Sequence, residues 1–383
     1  MTQRVVIITE IIAPYRIPVF NALAARGDVD LHVIFLSEND PSLRQWHVYK
    51  DEIKFSYEVL PAWRRRIGKY NVLFNSGVGA ALRRTHPDAI LCGGYGYVAS
   101  WQAAFWAKRN RVPLLLWSES TLLDIRRKHF LVEWVKRQFC KRCQAFVAAG
   151  KASRNYLLAL GAPSSSIFIA PDAVDVRFFV AAAEKARQQG PAIRDRHSLP
   201  ARYFLCVGRL VAEKGVFELL QAYATLEEAV RARIGLVFVG DGAARPELAR
   251  RAAEITQGVV RFCGWVHREQ LPEIYAPAEA LVFPTYSDTW GLVVNEAMAC
   301  GLPIVASEVA GCVADLVHDG WNGFVVPPRD VRGLVRAMQM LCDHPESVLQ
   351  MGNRSLQRIQ EYTPETCAAG MIQAIKFVSG EPV

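Results

Sequence analysis

Two hydrophobic periods alternate along the chain. In the first half, short runs rich in β-branched residues read as strands: RVVIIT (4–9), LHVIFL (31–36), FSYEVL (55–60), AILCG (89–93), PLLLW (113–117), AFVAA (145–149) and IFIAP (167–171). Stretches between them, such as PVFNALAAR (18–26) and SRNYLLALG (153–161), read as helices, the latter stopped by Gly161 and Pro163. A second series follows residue 200: YFLCVG (203–208), IGLVFVG (234–240), VVRFCGW (259–265), ALVFP (280–284), PIVAS (303–307) and GFVVPP (323–328). Strands alternating with helices predict parallel sheets in α/β layers. The polar stretch at 181–200, with two prolines, reads as a linker plus a short helix, and Pro364 to about Val378 reads as a last helix. The expected organisation is a doubly wound domain over 1–175 and another over 176–363. A helix within 364–383 should return to the first. Facing domains of this kind would bind ligands in a cleft at the strand C-terminal ends.

Length and composition agree with two cores: 383 residues, 51% hydrophobic and 21% charged. Nine scattered cysteines suit a reducing compartment better than a disulfide framework. Cys140 and Cys143 form a lone C-x-x-C without a second pair at metal spacing, so a structural reading is preferred. No leader pattern is visible, and no window approaches the roughly 20 apolar residues of a membrane span. A cytoplasmic, soluble protein is expected.

The net charge of +8 is uneven. Residues 1–175 hold 24 Lys and Arg against 14 Asp and Glu, whereas the remainder holds 21 against 23. The excess clusters at Arg64-Arg65-Arg66 with Lys69, Arg83-Arg84, Lys108-Arg109 with Arg111, Arg126-Arg127-Lys128, and Lys136-Arg137 with Lys141-Arg142. These are either solvated helix faces or a surface for something anionic, lipid headgroups or a phosphate-linked acceptor fitting best. No nucleic-acid-binding signature accompanies them.

Candidate chemistry gathers after the strands of the second series. In 207-VGRLVAEKGV-216, Gly208 and Arg209 leave a strand and Lys214 opens the next helix. An Arg fork and a Lys point charge can hold a diphosphate from two sides, although a single basic residue there is usually just solvated. The turns 239-VGDG-242, with Gly240, and 262-FCGWVH-267, with Gly264 and Val266, admit a ligand's close approach or are plain turns. In 283-FPTYSDTWGLVVNEAMAC-300, a helix starting near Gly291 offers free N–H groups to an anion, flanked by Thr289, Trp290 and Leu292. Glu296 is the lone acid of that helix. A carboxylate there needs partners, and a ribose diol supplies two. Asp288 can reach sugar hydroxyls over the same anion site.

These ordered motifs (GRL-x-x-EKG, VGDG, F-x-G-x-V, and acid-x7-acid before AMACGLPIVAS) resemble the retaining GT-B glycosyltransferases of family 4 over about residues 201–330. The resemblance implies two Rossmann-like domains and a metal-independent hexosyl transfer. The donor is a nucleoside diphosphate sugar and the acceptor a glycan or lipid-linked sugar, with no cofactor besides. It implies that Arg209 and Lys214 grip the diphosphate, Glu296 binds the ribose and Asp288 contacts the sugar. The first of the two acids is normally Glu in that family; here it is Asp288. Where the family often has a His near the fifth strand, this chain reads 117-WSES-120, making Glu119 the nearest catalytic candidate. In place of a glycine pair after the first strand stand Pro14, Tyr15 and Arg16. With Gly94, Tyr95 and Glu119 they make the expected acceptor side, Arg16 being either a contact or a solvated loop residue. Surface polysaccharide or glycolipid synthesis, peripheral on the inner face of a membrane, is the setting expected.

Two rivals remain. In 92-CGGYGYVAS-100, Gly94, Gly96 and Ala99 spell G-x-G-x-x-A, with Glu119 about 20 residues on, the fingerprint of an NAD(P)-dependent oxidoreductase. It falls on about the fourth strand, not the first, and leaves the later motifs without purpose. The other rival is a non-catalytic nucleotide-binding scaffold, motivated by Asp288. A metal at Asp28-Val29-Asp30 is disfavoured, because that D-x-D stands at an expected turn before the second strand.

Overall fold

The computed structural model describes residues 2–39, 48–67, 70–123 and 130–381. Lys69 and the Arg126-Arg127-Lys128 cluster lie outside the described residues. The chain divides into two compact units. The first runs to Val174 and regains the chain from Thr363 onward, and the second spans Asp175–Tyr362.

The first unit holds β1 (Gln3–Thr9), β2 (Val29–Phe35), β3 (Ser56–Val59), β4 (Ala62–Ile67), β5 (Tyr70–Asn75), β6 (Ala89–Cys92), β7 (Leu114–Ser118), β8 (Ala145–Ala148) and β9 (Ile167–Ile169). Seven of them form a parallel sheet in the order β3-β2-β1-β6-β7-β8-β9. Alternation along β1 explains why it is buried on both faces. Val5 and Ile7 enter one core, and Val6 and Ile8 enter the other. Helix Pro364–Ser379 completes the first of these cores with Cys367, Met371 and Ile375. It can lie close because Gly370 has no side chain: a Cβ there would sit 2.0 Å from the Ile169 carbonyl oxygen.

The second unit is a parallel sheet of β10 (Tyr203–Val207), β11 (Gly235–Val239), β12 (Val260–Gly264), β13 (Ala280–Phe283), β14 (Ile304–Ser307) and β15 (Gly323–Val326), in the order β12-β11-β10-β13-β14-β15. Each unit thus has one switch point, β1 beside β6 and β10 beside β13. There the connections diverge to either side and open a crevice at the strand C-terminal ends.

Two expectations are corrected. The 181–200 stretch is not a linker, since helices Val176–Gln188 and Gly190–His197 occupy most of it. Val176, Phe179, Ala183 and Ala186 recur at helical spacing and are buried, and Asp175 caps the N-terminus through the Phe178 N–H. Gly190 and Pro191 start a new helix, a position proline tolerates. Secondly, Arg64 and Arg65 lie on a strand, not a helix, because β4 and β5 pair as an antiparallel hairpin outside the main sheet. Of the other clusters, Arg83-Arg84, Lys108-Arg109 and Arg137 occupy the last turns of their helices, where cations complement the dipole. Among the described residues no helix is long and apolar enough to cross a membrane.

Candidate active site

At the second unit's switch point, the turn Ala212–Lys214 is drawn against the loop after β13. Gly215 makes this possible, with φ +67° and a missing Cβ that would lie 2.1 Å from the Pro284 oxygen. The Glu213 carbonyl accepts hydrogen bonds from the Tyr286 N–H and the Thr285 hydroxyl. That docking carries the Lys214 ammonium to the Asp288 carboxylate, an ion pair of 2.5 Å whose side chains are largely buried. The other Asp288 oxygen accepts from the Trp290 N–H at 3.2 Å. The sequence singled out both residues but gave no sign that they pair, being 74 positions apart.

Arg209, where β10 ends, is exposed and makes no side-chain hydrogen bond or ion pair among the described residues. Gly208 before it has φ +142° and open space where a Cβ would stand. Gly240 answers to a different need than ligand access. A Cβ there would lie 2.0 Å from the Gly208 oxygen, so the glycine lets two strand ends touch. Gly264 has φ +69°, and Val266 is half-buried two residues on.

Helix Leu292–Ala299 begins after Gly291, whose φ is +102°. A Cβ at Gly291 would meet the Phe283 ring at 2.7 Å, so packing alone already demands glycine. Trp290 is buried with its indole N–H given to Asn295 at 2.9 Å, and its carbonyl accepts from the Cys312 N–H at 3.1 Å. Thr289 and Leu292 are half-buried at the helix start.

Glu296 accepts a 2.7 Å hydrogen bond from the Tyr275 hydroxyl. Burial pushes its carboxyl up to about 7, against the opposing influence of that hydrogen bond and the Arg268 charge. Burial likewise drives the Tyr275 phenol well above its ordinary range. Tyr275 is backed edge-on by Phe179 of helix Val176–Gln188, ring centroids 6.4 Å apart. Neither Tyr275, Arg268 nor Phe179 was singled out from sequence. One aromatic in an apolar helix and one Arg in a polar turn carry no local signal.

In the first unit the switch point holds a second charged pair. Arg16, in the turn Pro14–Arg16, donates to Glu119 at 2.5 Å and to the Thr9 hydroxyl at 2.5 Å, with its guanidinium 4.5 Å from the Trp117 ring centre. The nearby carboxylate raises the pKa of the guanidinium further despite its burial. Arg16 is therefore not a solvated loop residue. Its own Nε and the neighbouring Trp117 Nε1 are buried without hydrogen-bond partners, as is Ser118 Oγ on the next residue of β7. Tyr95 donates to Ser120 at 2.8 Å, and Gly94 turns with φ +122°. Pairing with Arg16 occupies the acid that the dinucleotide reading assigned to a ribose.

Asp28 of the D-x-D is taken by Arg26 and Lys376. Among the described residues no cluster of three or more His, Cys, Asp or Glu is placed to hold a metal ion. Burial raises the Cys140 thiol to about 11, the opposite of an activated thiolate.

Comparison with known proteins accords with this geometry. Residues 201–344 match the family model described as Glycosyl transferases group 1, and residues 19–178 match that described as Glycosyltransferase Family 4. A crystal structure of Anabaena HepE in complex with UDP overlays with a TM-score of 0.76 at 17% identity, covering 98% of this chain and 100% of that one. The fold is GT-B. Carrying both matched domains, the chain belongs to the class of family 4 glycosyltransferases. The D-inositol 3-phosphate glycosyltransferase of Streptomyces griseus is 36% identical over 189 residues, 46% of this chain and 40% of the relative. The O-antigen chain mannosyltransferase B of Escherichia coli is 31% identical over 179 residues, 46% of either chain. The chain thus spans less than half the length of these curated relatives.

Proposed function

We propose that the chain is a retaining glycosyltransferase, moving a hexosyl group from a nucleoside diphosphate sugar to an acceptor hydroxyl in surface polysaccharide or glycolipid synthesis. The observation that carries this reading is the Lys214–Asp288 pair at the switch point of the second sheet, on the same strand-end side as the uncommitted Arg209. An ammonium has three donors, so Lys214 can keep Asp288 and still reach a phosphate oxygen. Asp288 keeps acceptor capacity for a sugar hydroxyl. Arg209 supplies the second cation, and the N–H groups after Gly291 supply an anion site. Glu296, held by Tyr275, is suited to the ribose.

In the reaction, the bond between the anomeric carbon and the leaving phosphate oxygen breaks while the acceptor oxygen bonds on the same face of the sugar. The acceptor proton passes to the leaving phosphate. No side-chain nucleophile is needed, and the protein's part is to stabilise charge gathering on the diphosphate. Two cations and a helix terminus perform that task without metal in this proposal. The Pro14–Arg16 turn, the Gly94–Tyr95 loop and Glu119 take the acceptor side. The named mannosyltransferase relative and the UDP complex of the HepE neighbour support a nucleotide-sugar reading.

The test is a thermal-shift and hydrolysis screen against UDP-, GDP-, ADP-, CDP- and dTDP-sugars, with NAD and NADP included, each with and without EDTA. Stabilisation by one nucleotide family, with slow release of its diphosphate undiminished by EDTA, is expected. A response only to NAD or NADP would overturn the assignment in favour of Gly94, Gly96 and Ala99. Loss of turnover in EDTA would remove metal independence.

A further inference from the structure

We propose that helix Phe130–Cys140 of the first unit docks the protein on an anionic lipid bilayer, with a lipid headgroup seated in the cavity beside it. This helix leaves large apolar side chains in solvent: Phe130 is 79% exposed, Leu131 60%, Val132 47%, Trp134 52% and Val135 39%. At 100° per residue these five fall within about 200° of arc, one broad contiguous side of the helix. A soluble surface rarely carries so dense an apolar patch without a use for it. One turn further along the same face come Arg137, Lys141 and Arg142, all exposed. The only acid of the helix, Glu133, is already neutralised by Lys136 at 2.7 Å. The face is therefore apolar at one end, cationic at the other, and bears no uncompensated negative charge of its own.

A cavity of about 540 Å³ opens beside this face. Trp134 and the cations Arg137 and Lys141 line it, together with the apolar side chains Phe146, Leu160 and Pro163. Neither Arg137 nor Lys141 makes a side-chain hydrogen bond or ion pair among the described residues. Two uncommitted cations over an apolar floor match a phosphate headgroup with its glycerol and upper acyl carbons, while the exposed aromatics enter the interface. The neighbouring helix Val98–Asn110, whose Trp101 packs on Phe139 at 5.2 Å, also exposes an aromatic, Phe105, 70% exposed. That helix adds exposed Lys108 and Arg109. A second copy of the chain suits the face less well, because like charges would meet.

The attachment requires nothing of nucleotide binding, so it stands or fails apart from the proposed activity. The purified protein is co-sedimented with vesicles of phosphatidylcholine alone and with 30% phosphatidylglycerol, beside light scattering of the free protein. Binding only to the anionic vesicles, weakening steeply with salt, is expected. The double variant Arg137→Ser/Lys141→Ser should bind on the order of 25-fold more weakly, about fivefold per cation. Phe130→Ser/Trp134→Ser should lose at least about tenfold. All four residues are largely exposed, so the variants should keep the wild-type circular dichroism and melting temperature. Equal binding to neutral vesicles, no binding, or anionic binding untouched by both variants would overturn the proposal. So would a dimer that the Phe130→Ser/Trp134→Ser variant converts to monomer.

Discussion

The proposed chemistry rests on single side chains at the two switch points. Truncating a preorganised donor to a developing oxyanion costs about 10²–10³ in rate. Arg209→Ala and Lys214→Ala should therefore each lower kcat by about that factor, measured with the donor the screen identifies. Changes under threefold in both would remove the diphosphate role. Glu296 makes a prediction through pH. Its folded carboxyl titrates near 7, above the roughly 4.3 of an unfolded glutamate. Between those values the folded state holds the extra proton, so this group makes stability fall as pH rises through the window. In urea melts at pH 5 to 8, Glu296→Gln should lose less stability on alkalinisation than the wild type; an equal slope would assign the titration elsewhere. The ionised form is the better acceptor for ribose hydroxyls, so donor affinity should weaken by up to about tenfold per pH unit below 7. Isothermal titration across that range reads it directly.

At the scale of elements, close backbone approaches hold the loops that carry these residues. The Gly240 position has φ +117° and touches Gly208, so Gly240→Ala adds both strain and a clash. A loss of at least about 2 kcal/mol is expected, since backbone strain alone costs about 1–3 kcal/mol. Donor affinity should fall with it, because Gly208 and Arg209 must move. A variant of wild-type stability would show that the two strand ends are looser than the structure has them. Helix Val176–Gln188 teaches the same lesson from the other side. Its charged residues and the nearby prolines made the stretch look like a linker, but Phe179 and Ala183 are buried within the second unit, and Phe179 backs the tyrosine that holds Glu296. Phe179→Ala should cost about 3–5 kcal/mol of stability. It should also raise the donor KM more than it lowers kcat, if Tyr275 acts through the ribose.

Over the whole molecule, the parallel sheets were legible because most of their strands, above all the central ones buried on both faces, are nearly continuous apolar runs between turn residues. Thirteen such runs in the sequence correspond to the thirteen strands of the two large sheets. The β4–β5 hairpin was not legible. It lies outside the main sheet, it buries little besides Leu73 and Asn75, and its alternating pattern is broken by Arg64-Arg65-Arg66, so little in the sequence marks it. The exposed face of helix Phe130–Cys140 was hidden for the converse reason. Apolar spacing says that a helix has a face but not whether anything covers it.

Among the site residues, local chemistry marked those whose type is unusual for their place. Lys214 before a glycine, Asp288 at an elbow and Glu296 in an apolar helix all stand out against their neighbours. What the sequence by itself determined is therefore the order of strands along the chain, the fold class and the odd residues at strand ends. Tertiary structure alone decided who meets whom. Lys214 pairs with Asp288, Glu296 with Tyr275 and Arg16 with Glu119 across 74, 21 and 103 positions. The reason is physical: hydrophobic periodicity is a property of neighbours in sequence, whereas an ion pair is fixed by which strand ends the sheet order brings together.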